Sequence, residues 1–579
     1  MRCERFSYDV LGVQGLAAAL LAARDAGALA PGTAGGFVVP RDLSEIPEPE
    51  ERFTRDERDR LATTLERALA PLEPHVAVLD SIRSLRAPRA SVVIAGQQPG
   101  FLAAPLFNLH TALHVVRLAR ALAQAWERPV VPVFWNHADD HDLAEVNHAF
   151  VANQNLDLQR IGLSSLSSGR QPFSRVVLTE ERHRLAAVRA TLEELLRGEP
   201  HLAEALELFL PREGESLARA FTRANTALLG HLGLVVLEPD WIRPELSRAL
   251  ADVIGRAPLG RKPGGGGTFE DALHRGAQGV SALGHAPAID PREAAILYRV
   301  DATGRNALRL GGEGLRYDGE QGSRTRAELA AEIVQDTSAW SPAALTRAIA
   351  QDAALPTAAY VGGLGEMAYH AQLVPLRDLA GVPRTPFVPR FSCTLVEPDV
   401  AASLDKLELS AEHVLRARGV LDGGGGGGGA SNDAAGTPPV VEAMREIASR
   451  AARELNQQRQ ALAELDAGLA AHLKRTGDQI RSLVEKMAEK AERVHQNRAG
   501  RGQKHLRRVS NALMPRGTPQ ERVLGPLPLV ARHGRGFVDE LLECVPAIPL
   551  EHVVARFEDA TTSTPRDDAS SATDEGDRT

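Results

Sequence analysis

Cysteine is scarce in this sequence: Cys3, Cys393 and Cys544 are the only three in 579 residues, far apart and with no CxxC spacing. That argues against a cysteine-built zinc site and against a disulfide framework, and it fits a reducing cytoplasm. Long apolar runs are missing as well, with nothing near the roughly 18 consecutive apolar residues of a membrane span. Met1-Arg2-Cys3-Glu4-Arg5 leads into no apolar signal segment, so neither export nor anchoring is expected. There is no strong excess of one charge: 67 Lys and Arg against 75 Asp and Glu leave a net charge of −8. The molecule as a whole therefore has no electrostatic pull toward nucleic acid or anionic membrane. Aromatic residues are only 4%.

What is present is enough chain for more than one domain, 43% of it hydrophobic. Arg52 to about Leu85 reads as helix, with Leu61, Leu65 and Leu69 on one face. Ser91 to Ala95 (SVVIA) is a buried-strand pattern ending at Gly96, and a helical pattern follows from Leu106 to Leu122. Val130 to Trp135 (VVPVFW) is a second such strand, and Gly233 to Glu238 a third, after a mostly helical stretch. This βαβ rhythm predicts an α/β, Rossmann-like core in which ligands sit beyond the carboxyl ends of the strands. Arg256 to Tyr317 is irregular, with a hairpin pattern around Gly304 and a glycine run at Gly264 to Gly267, and reads as an insertion spanning about 255–335. Leu345 to Ile349, Thr357 to Val361 and Pro386 to Arg390 are read as the sheet resuming.

The core is expected to span 1–410, with a Gly-rich flexible loop over 411–439 that includes Gly423 to Gly429. From Met444 to Val494 apolar residues recur at three- and four-residue steps, the pattern of a coiled coil over 440–514. Thr476-Gly477-Asp478 is a candidate turn between its helices, with Gly500 and Gly502 as a competing break. Residues 515–557 are expected to pack on the core, and 558–579, rich in Ser, Thr, Asp and Arg, to be disordered. Eleven Lys or Arg face four Asp or Glu between Lys474 and Arg508, but no aromatic residue accompanies them. A solvated helix face explains this better than nucleic-acid binding.

Three constellations carry chemistry. Gly96-Gln97-Gln98-Pro99-Gly100 joins a strand to a helix but matches neither GxGxxG nor GxxxxGK[ST], so a tight turn explains it as well as a phosphate loop does. Asn108 and His110 would add polar groups beside it. Asp139-Asp140-His141-Asp142, with Glu145, Asn147 and His148 behind it, follows the second strand; a histidine flanked by carboxylates suits proton transfer, while helix capping is the bland alternative. His137 and His141 have HxxxH spacing, but no further ligand is specified, so no metal site is assigned. Tyr360 to Tyr369 is a strand end, Gly362-Gly363, and a helix start bearing Glu366. Arg347, Gln351, Asp352 and Arg390 supply groups for a carboxylate or phosphate.

With those residues on the page, the chain resembles the bacillithiol biosynthesis cysteine-adding enzyme family. The matching blocks are VVIAGQQPG (Val92 to Gly100), PVFWNHADDHDLAEVNH (Pro132 to His148) and Ser341 to Leu373, followed by VPRFSCTLVE (Val388 to Glu397) and Leu513 to Gly534. The resemblance implies a core similar to class I aminoacyl-tRNA synthetases and nucleotidylyltransferases, connecting-peptide insertions, and a coiled coil that makes a homodimer. It implies a ligase that joins cysteine to glucosaminyl malate. The expected cofactor is ATP, with Mg2+ only as its counter-ion, and no nucleic-acid or membrane partner is expected. The family pattern departs at Thr111, where a lysine is expected, and at His137, where an alanine is expected.

Residues and resemblance together give His141, Asp140 and Asp142 as catalytic, and Gly96, Gln97, Gln98, Asn108, His110, Gly362, Gly363 and Glu366 as nucleotide-binding. Arg347, Gln351, Asp352, Tyr369, Arg390, Asn147 and His148 are expected to bind substrate. Two other readings stay open at this point: a metal-dependent hydrolase of the same thiol pathway, and a non-catalytic dimeric scaffold.

Overall fold

The computed structural model describes residues 1–29, 36–163, 170–178, 182–256, 269–291, 294–311, 314–317, 325–421, 439–458, 461 and 467–558. The glycine runs at Gly264 to Gly267 and Gly423 to Gly429, and the tail beyond Glu558, lie outside the described residues.

Five strands, Ser91–Gln97, Val130–Asn136, Val235–Leu237, Thr357–Gly362 and Phe387–Pro389, form a fully parallel sheet. Numbered along the chain they lie in the order 3-2-1-4-5. Because both faces of a parallel sheet are covered, its strands read as continuous apolar runs rather than alternating ones. Val93, Ala95 and Phe134 pack into one core with the helix Phe107–Trp126. Val92, Ile94, Val133 and Trp135 pack into another with the helices Arg55–Leu69 and Val76–Ser84. Each fully buried Val, Ile or Phe side chain among them contributes about 1.5–3 kcal/mol.

The insertion folds around a four-stranded antiparallel sheet that contains the hairpin Ala295–Asp301 and Gly304–Gly311. Gly304 sits at φ 115°, a conformation closed to most L residues, at the turn of that hairpin. Leu345 to Ile349 is not part of a sheet; it lies in the helix Ala344–Ala354, whose Leu345, Ala348 and Ile349 bury one face against the insertion. A short apolar run does not distinguish strand from helix until its packing partner is known.

The first strand and the last described strand meet. The strand His552–Arg556 lies between the first strand of the chain, Arg2–Phe6, and Cys393–Val396. This brings Cys3 and Cys544 into a disulfide across 541 residues of sequence, correcting the expectation of no disulfide. Sequence separation carries no information about a pair that a shared sheet brings together. Cys393 is free and buried.

Beyond the core, the helices Pro439–Gln457 and Ala467–Leu513 pack together, with Leu455 set against Gly477. The second helix runs unbroken through Thr476-Gly477-Asp478, Gly500 and Gly502, so neither expected break is used. An isolated glycine costs a helix about 1 kcal/mol, which forty-seven residues of helix absorb. No helix among the described residues is long and apolar enough to cross a membrane.

Candidate functional site

In this strand order the direction of winding reverses between the first and fourth strands, and beyond their carboxyl ends is the place where such folds form a ligand crevice. Gln97 ends the first strand and Gly362-Gly363 ends the fourth. The two glutamines of the first loop diverge. Gln97 Nε2 donates to Glu366 Oε2 at 3.1 Å, across the reversal point. Gln98 Nε2 donates the other way, to Asp140 Oδ2 and Glu145 Oε2, both at 2.7 Å. Gly96 before them is required for packing, since a Cβ there would collide with His137 Nε2.

Glu366 is the hub on one side. Its Oε2 accepts from Gln97 and from the Gly363 backbone N–H at 2.8 Å; its Oε1 accepts from Tyr360 at 2.9 Å and from Tyr369 at 3.4 Å. Those four donors fill the lone-pair sites of a carboxylate. Arg347 stands behind the two tyrosines, its Nη2 donating to Tyr369 Oη at 2.8 Å and its Nη1 to Gln351 Oε1 at 3.2 Å. Burial pushes the Tyr369 phenol up to about 12, so it remains a donor. Arg347 is thus held by hydroxyls and an amide, with the Glu366 charge acting on it through the two tyrosines.

Asp140 is the hub on the other side. Besides Gln98, it accepts from the His141 backbone N–H at 2.8 Å and from Arg305 Nη1 at 3.2 Å. Burial alone would make it a weaker acid, but hydrogen bonds from His141 and Gln98 and the Arg305 charge hold it well below the usual carboxylate range. Arg305 Nη1 also lies 3.1 Å from His141 Nδ1. Facing a guanidinium donor, that nitrogen is the acceptor, which puts the proton of neutral His141 on Nε2. Arg305 is only 5% exposed, and its guanidinium carbon stacks 3.9 Å from the centre of the Tyr298 ring.

Arg305 and Tyr298 were not among the residues singled out in the sequence. They come from the hairpin of the insertion, and the only sequence signal was the position of Arg305 immediately after the turn glycine. Asp139, beside Asp140, is claimed by Arg243.

Not every expected residue reaches the crevice. Asp142 is exposed and caps the short helix Leu143–Val146, accepting from Ala144 N at 3.2 Å, which is the bland alternative realised. Asn108 and His110 are turned inward: Asn108 Nδ2 donates to Ala104 O at 2.9 Å, and His110 Nδ1 pairs with Glu521 at 3.1 Å. Gln351 and Asp352 are buried; Asp352 pairs with Arg377 at 2.6 Å, so these two hold the framework rather than meet a ligand. Asn147 and His148 bond each other at 3.1 Å and lie near Arg160. Thr111 is fully buried and donates to Phe107 O.

His137 and His141 do not converge. His137 packs on Gly96, and burial together with the Arg347 and Arg305 charges pushes it down to about 3. His141 faces a guanidinium, a poor neighbour for a cation. Among the described residues no group of three His, Cys, Asp or Glu is placed to hold a metal ion.

A five-stranded 3-2-1-4-5 sheet with polar loops at its winding reversal, an inserted subdomain and a helical hairpin arm define a Rossmann-like protein with a coiled-coil domain. Family models agree with both parts. Residues 43–391 match the bacillithiol biosynthesis BshC N-terminal Rossmann-like domain, and residues 393–557 match the BshC C-terminal coiled-coil domain. The chain belongs to the BshC family of bacillithiol biosynthesis. It is 31% identical over 500 residues to a Koribacter versatilis protein named "Putative cysteine ligase BshC", covering 86% of this chain and 90% of the relative. Proteins of the same name from Carboxydothermus hydrogenoformans (27% identical, 81% of this chain and 85% of theirs) and Bacillus thuringiensis (26%, 84% and 88%) are also similar.

Proposed function

We propose that this protein is a ligase that forms an amide between the carboxyl group of cysteine and the amine of glucosaminyl malate, using ATP. The names of its relatives support the cysteine ligase part. The observation that carries the reading at the level of the site is the divergence of Gln97 and Gln98: one loop ties a carboxylate hub on each wall of the crevice into a single rigid frame.

Amide formation needs a leaving group better than hydroxide, and ATP would supply it by activating the carboxyl group. The residues present fit a nucleotide. The crevice lies where α/β folds take them, a helix starts at Leu364 beside Gly363, and the Arg347 guanidinium has no carboxylate bound to it in the bonds described above. Arg347 and Arg305 would hold phosphate or carboxylate oxygens. His141, with its Nε2 proton, would donate to an oxyanion as charge develops, and the Arg305 guanidinium donating to Nδ1 sets that tautomer. Mg2+ would serve only as counter-ion to the nucleotide.

Purified protein given cysteine, glucosaminyl malate and ATP should yield bacillithiol by mass spectrometry and exchange labelled pyrophosphate into ATP in the presence of cysteine. No product would overturn the ligase reading; product without exchange would remove acyl-adenylate formation alone. The homodimer belongs to the same proposal. Ile447, Ile480, Leu483 and Met487 of the helical arm are 36–66% exposed in the single chain, an apolar seam that a second copy would cover.

A further inference from the structure

The Cys3–Cys544 disulfide has one open side and one closed side. Cys3 lies in the strand Arg2–Phe6, an edge strand in which no residue is buried, and Cys3 itself is exposed. Cys544 follows the helix Phe537–Glu543, is 8% exposed, and belongs to the same apolar core as Val93 and Phe134. A small molecule in solution therefore reaches the bond through Cys3.

Two features suit that side to reversible attack by a thiolate. Side chains two residues apart share a face of a strand, so Arg5 stands on the same exposed face as Cys3. Among the described residues Arg5 has no ion pair within 4.0 Å. A cation beside a sulfur favours the anionic thiolate that attacks it. The strand is also paired with His552–Arg556 along its whole length, which keeps it in place whether the bond is shut or open. The two Cα atoms stand 6.2 Å apart, a distance that a disulfide bridges without moving the backbone. An opened bond can thus close again.

We propose that Cys3 is a site of thiol–disulfide exchange with a low-molecular-weight thiol, so that the link between the first strand and the C-terminal segment is shut when that thiol is oxidised and open when it is reduced. The thiolate attacks Cys3 Sγ; a new S–S bond forms there as the Cys3–Cys544 bond breaks, and Cys544 leaves as a thiolate that takes a proton from water. A second thiolate attacks the outer sulfur of the mixed disulfide, releasing the small disulfide and leaving Cys3 as a thiol. Two small thiols are oxidised to one disulfide, and one protein disulfide is reduced to two thiols.

The consequence is a stability that follows the thiol pool. Shut, the bond restrains a loop of 541 residues in the unfolded chain and so favours the folded one. The chain belongs to a family of bacillithiol biosynthesis, so the protein is held most firmly when the reduced thiol of its own pathway is scarce. The assignment does not depend on the ligase reading, because it is read without turnover.

Full-length oxidised protein would be equilibrated in glutathione buffers of rising reduced-to-oxidised ratio, alkylated, and mapped by mass spectrometry. A glutathione mixed disulfide on Cys3 is expected first, then alkylation of both Cys3 and Cys544. Cys393 should stay unreactive, since it is fully buried and burial holds its thiol protonated. The reduced protein should melt about 2–4 °C below the oxidised one, and oxidised glutathione should restore the difference. Cys3→Ser should melt as the reduced parent does at every glutathione ratio. A bond that stays shut until the chain unfolds, glutathione found first on Cys544, no melting difference between the two redox states, or the same difference in Cys3→Ser would each overturn the proposal.

Discussion

The crevice and the helical arm solve opposite problems. Around the crevice each hub carboxylate has its acceptor sites occupied by groups of the same chain: Glu366 by Gln97, Tyr360, Tyr369 and a backbone N–H, and Asp140 by Gln98, Arg305 and a backbone N–H. On the arm, the apolar side chains of Ile447, Ile480, Leu483 and Met487 are exposed among the described residues. Saturated polar groups in a low-dielectric wall cost no reorganisation when charge develops, which is what a reaction site needs. Uncovered apolar side chains gain energy only when another surface arrives. One chain completes its crevice and leaves its arm unfinished.

The largest expected effect tests the crevice alone. His141→Ala should lower cysteine-ligating turnover by about two to four decades, the usual size of a lost proton-transfer or electrostatic group, with the melting temperature and the mass by light scattering unchanged. Near-normal turnover would mean that the Asp140 wall is structural and that the chemistry belongs to the Glu366 wall.

The arm is broken by charge. Leu483→Glu with Met487→Glu places two like charges per chain on the exposed seam and should convert a dimeric mass to a monomeric one at micromolar protein. An unchanged mass would show that the arm does not form the interface. Retained activity in the monomer would confirm that the crevice needs nothing from the partner copy.

pH acts on the seam between the core and the C-terminal segment, as it does on the buried His137 and His370. Burial pushes His114 and His552 down to about 4 from an ordinary 6.5. His114 accepts from the Phe391 N–H on Nδ1 and donates to Ala547 O from Nε2, an arrangement that only the neutral ring makes. Between those values the unfolded chain binds more protons than the folded one, so stability is full above about pH 6.5 and lost as pH falls toward 4. Denaturant unfolding at pH 7.5, 6 and 5 should give a falling midpoint. His114→Gln should flatten that fall, and an equally steep fall would assign it elsewhere.

The smallest effect concerns the same seam. Cys3→Ser should lower the unfolding free energy by about 2–4 kcal/mol through the freed termini. It should leave turnover intact, since strand pairing from Arg2 to Phe6 still holds the segment. A loss of turnover instead would tie the chain ends to the crevice.

Much of this was legible without coordinates. Runs such as SVVIA and VVPVFW announced buried parallel strands because both faces of such a sheet exclude water, and the Gly96 and Gly362 loops announced its ligand-facing edge. Asp140, His141, Gln97, Gln98 and Glu366 are singled out in the sequence, and the structure links them by hydrogen bonds through the Gln97-Gln98 loop. Asn108 and His110 are read as facing the crevice because they start the next helix, and Gln351 and Asp352 because the resemblance implies it. Which way a helical side chain turns depends on the element packed against it, here Glu521 and Arg377 from distant segments.

The sequence by itself determined what repeats or neighbours locally: the apolar periods that fix strand and helix, the glycines that end them, and the order of the blocks that places the chain in its family. The tertiary structure decided what depends on meeting across distance. Arg305 arrives at Asp140 from an insertion 165 residues away, Gln97 reaches Glu366 across 269 residues, and Cys3 joins Cys544 across 541. Local patterns are set by steric and hydrophobic rules that act over a few residues, whereas charge pairing and disulfide formation depend only on separation in space, which the chain order does not encode.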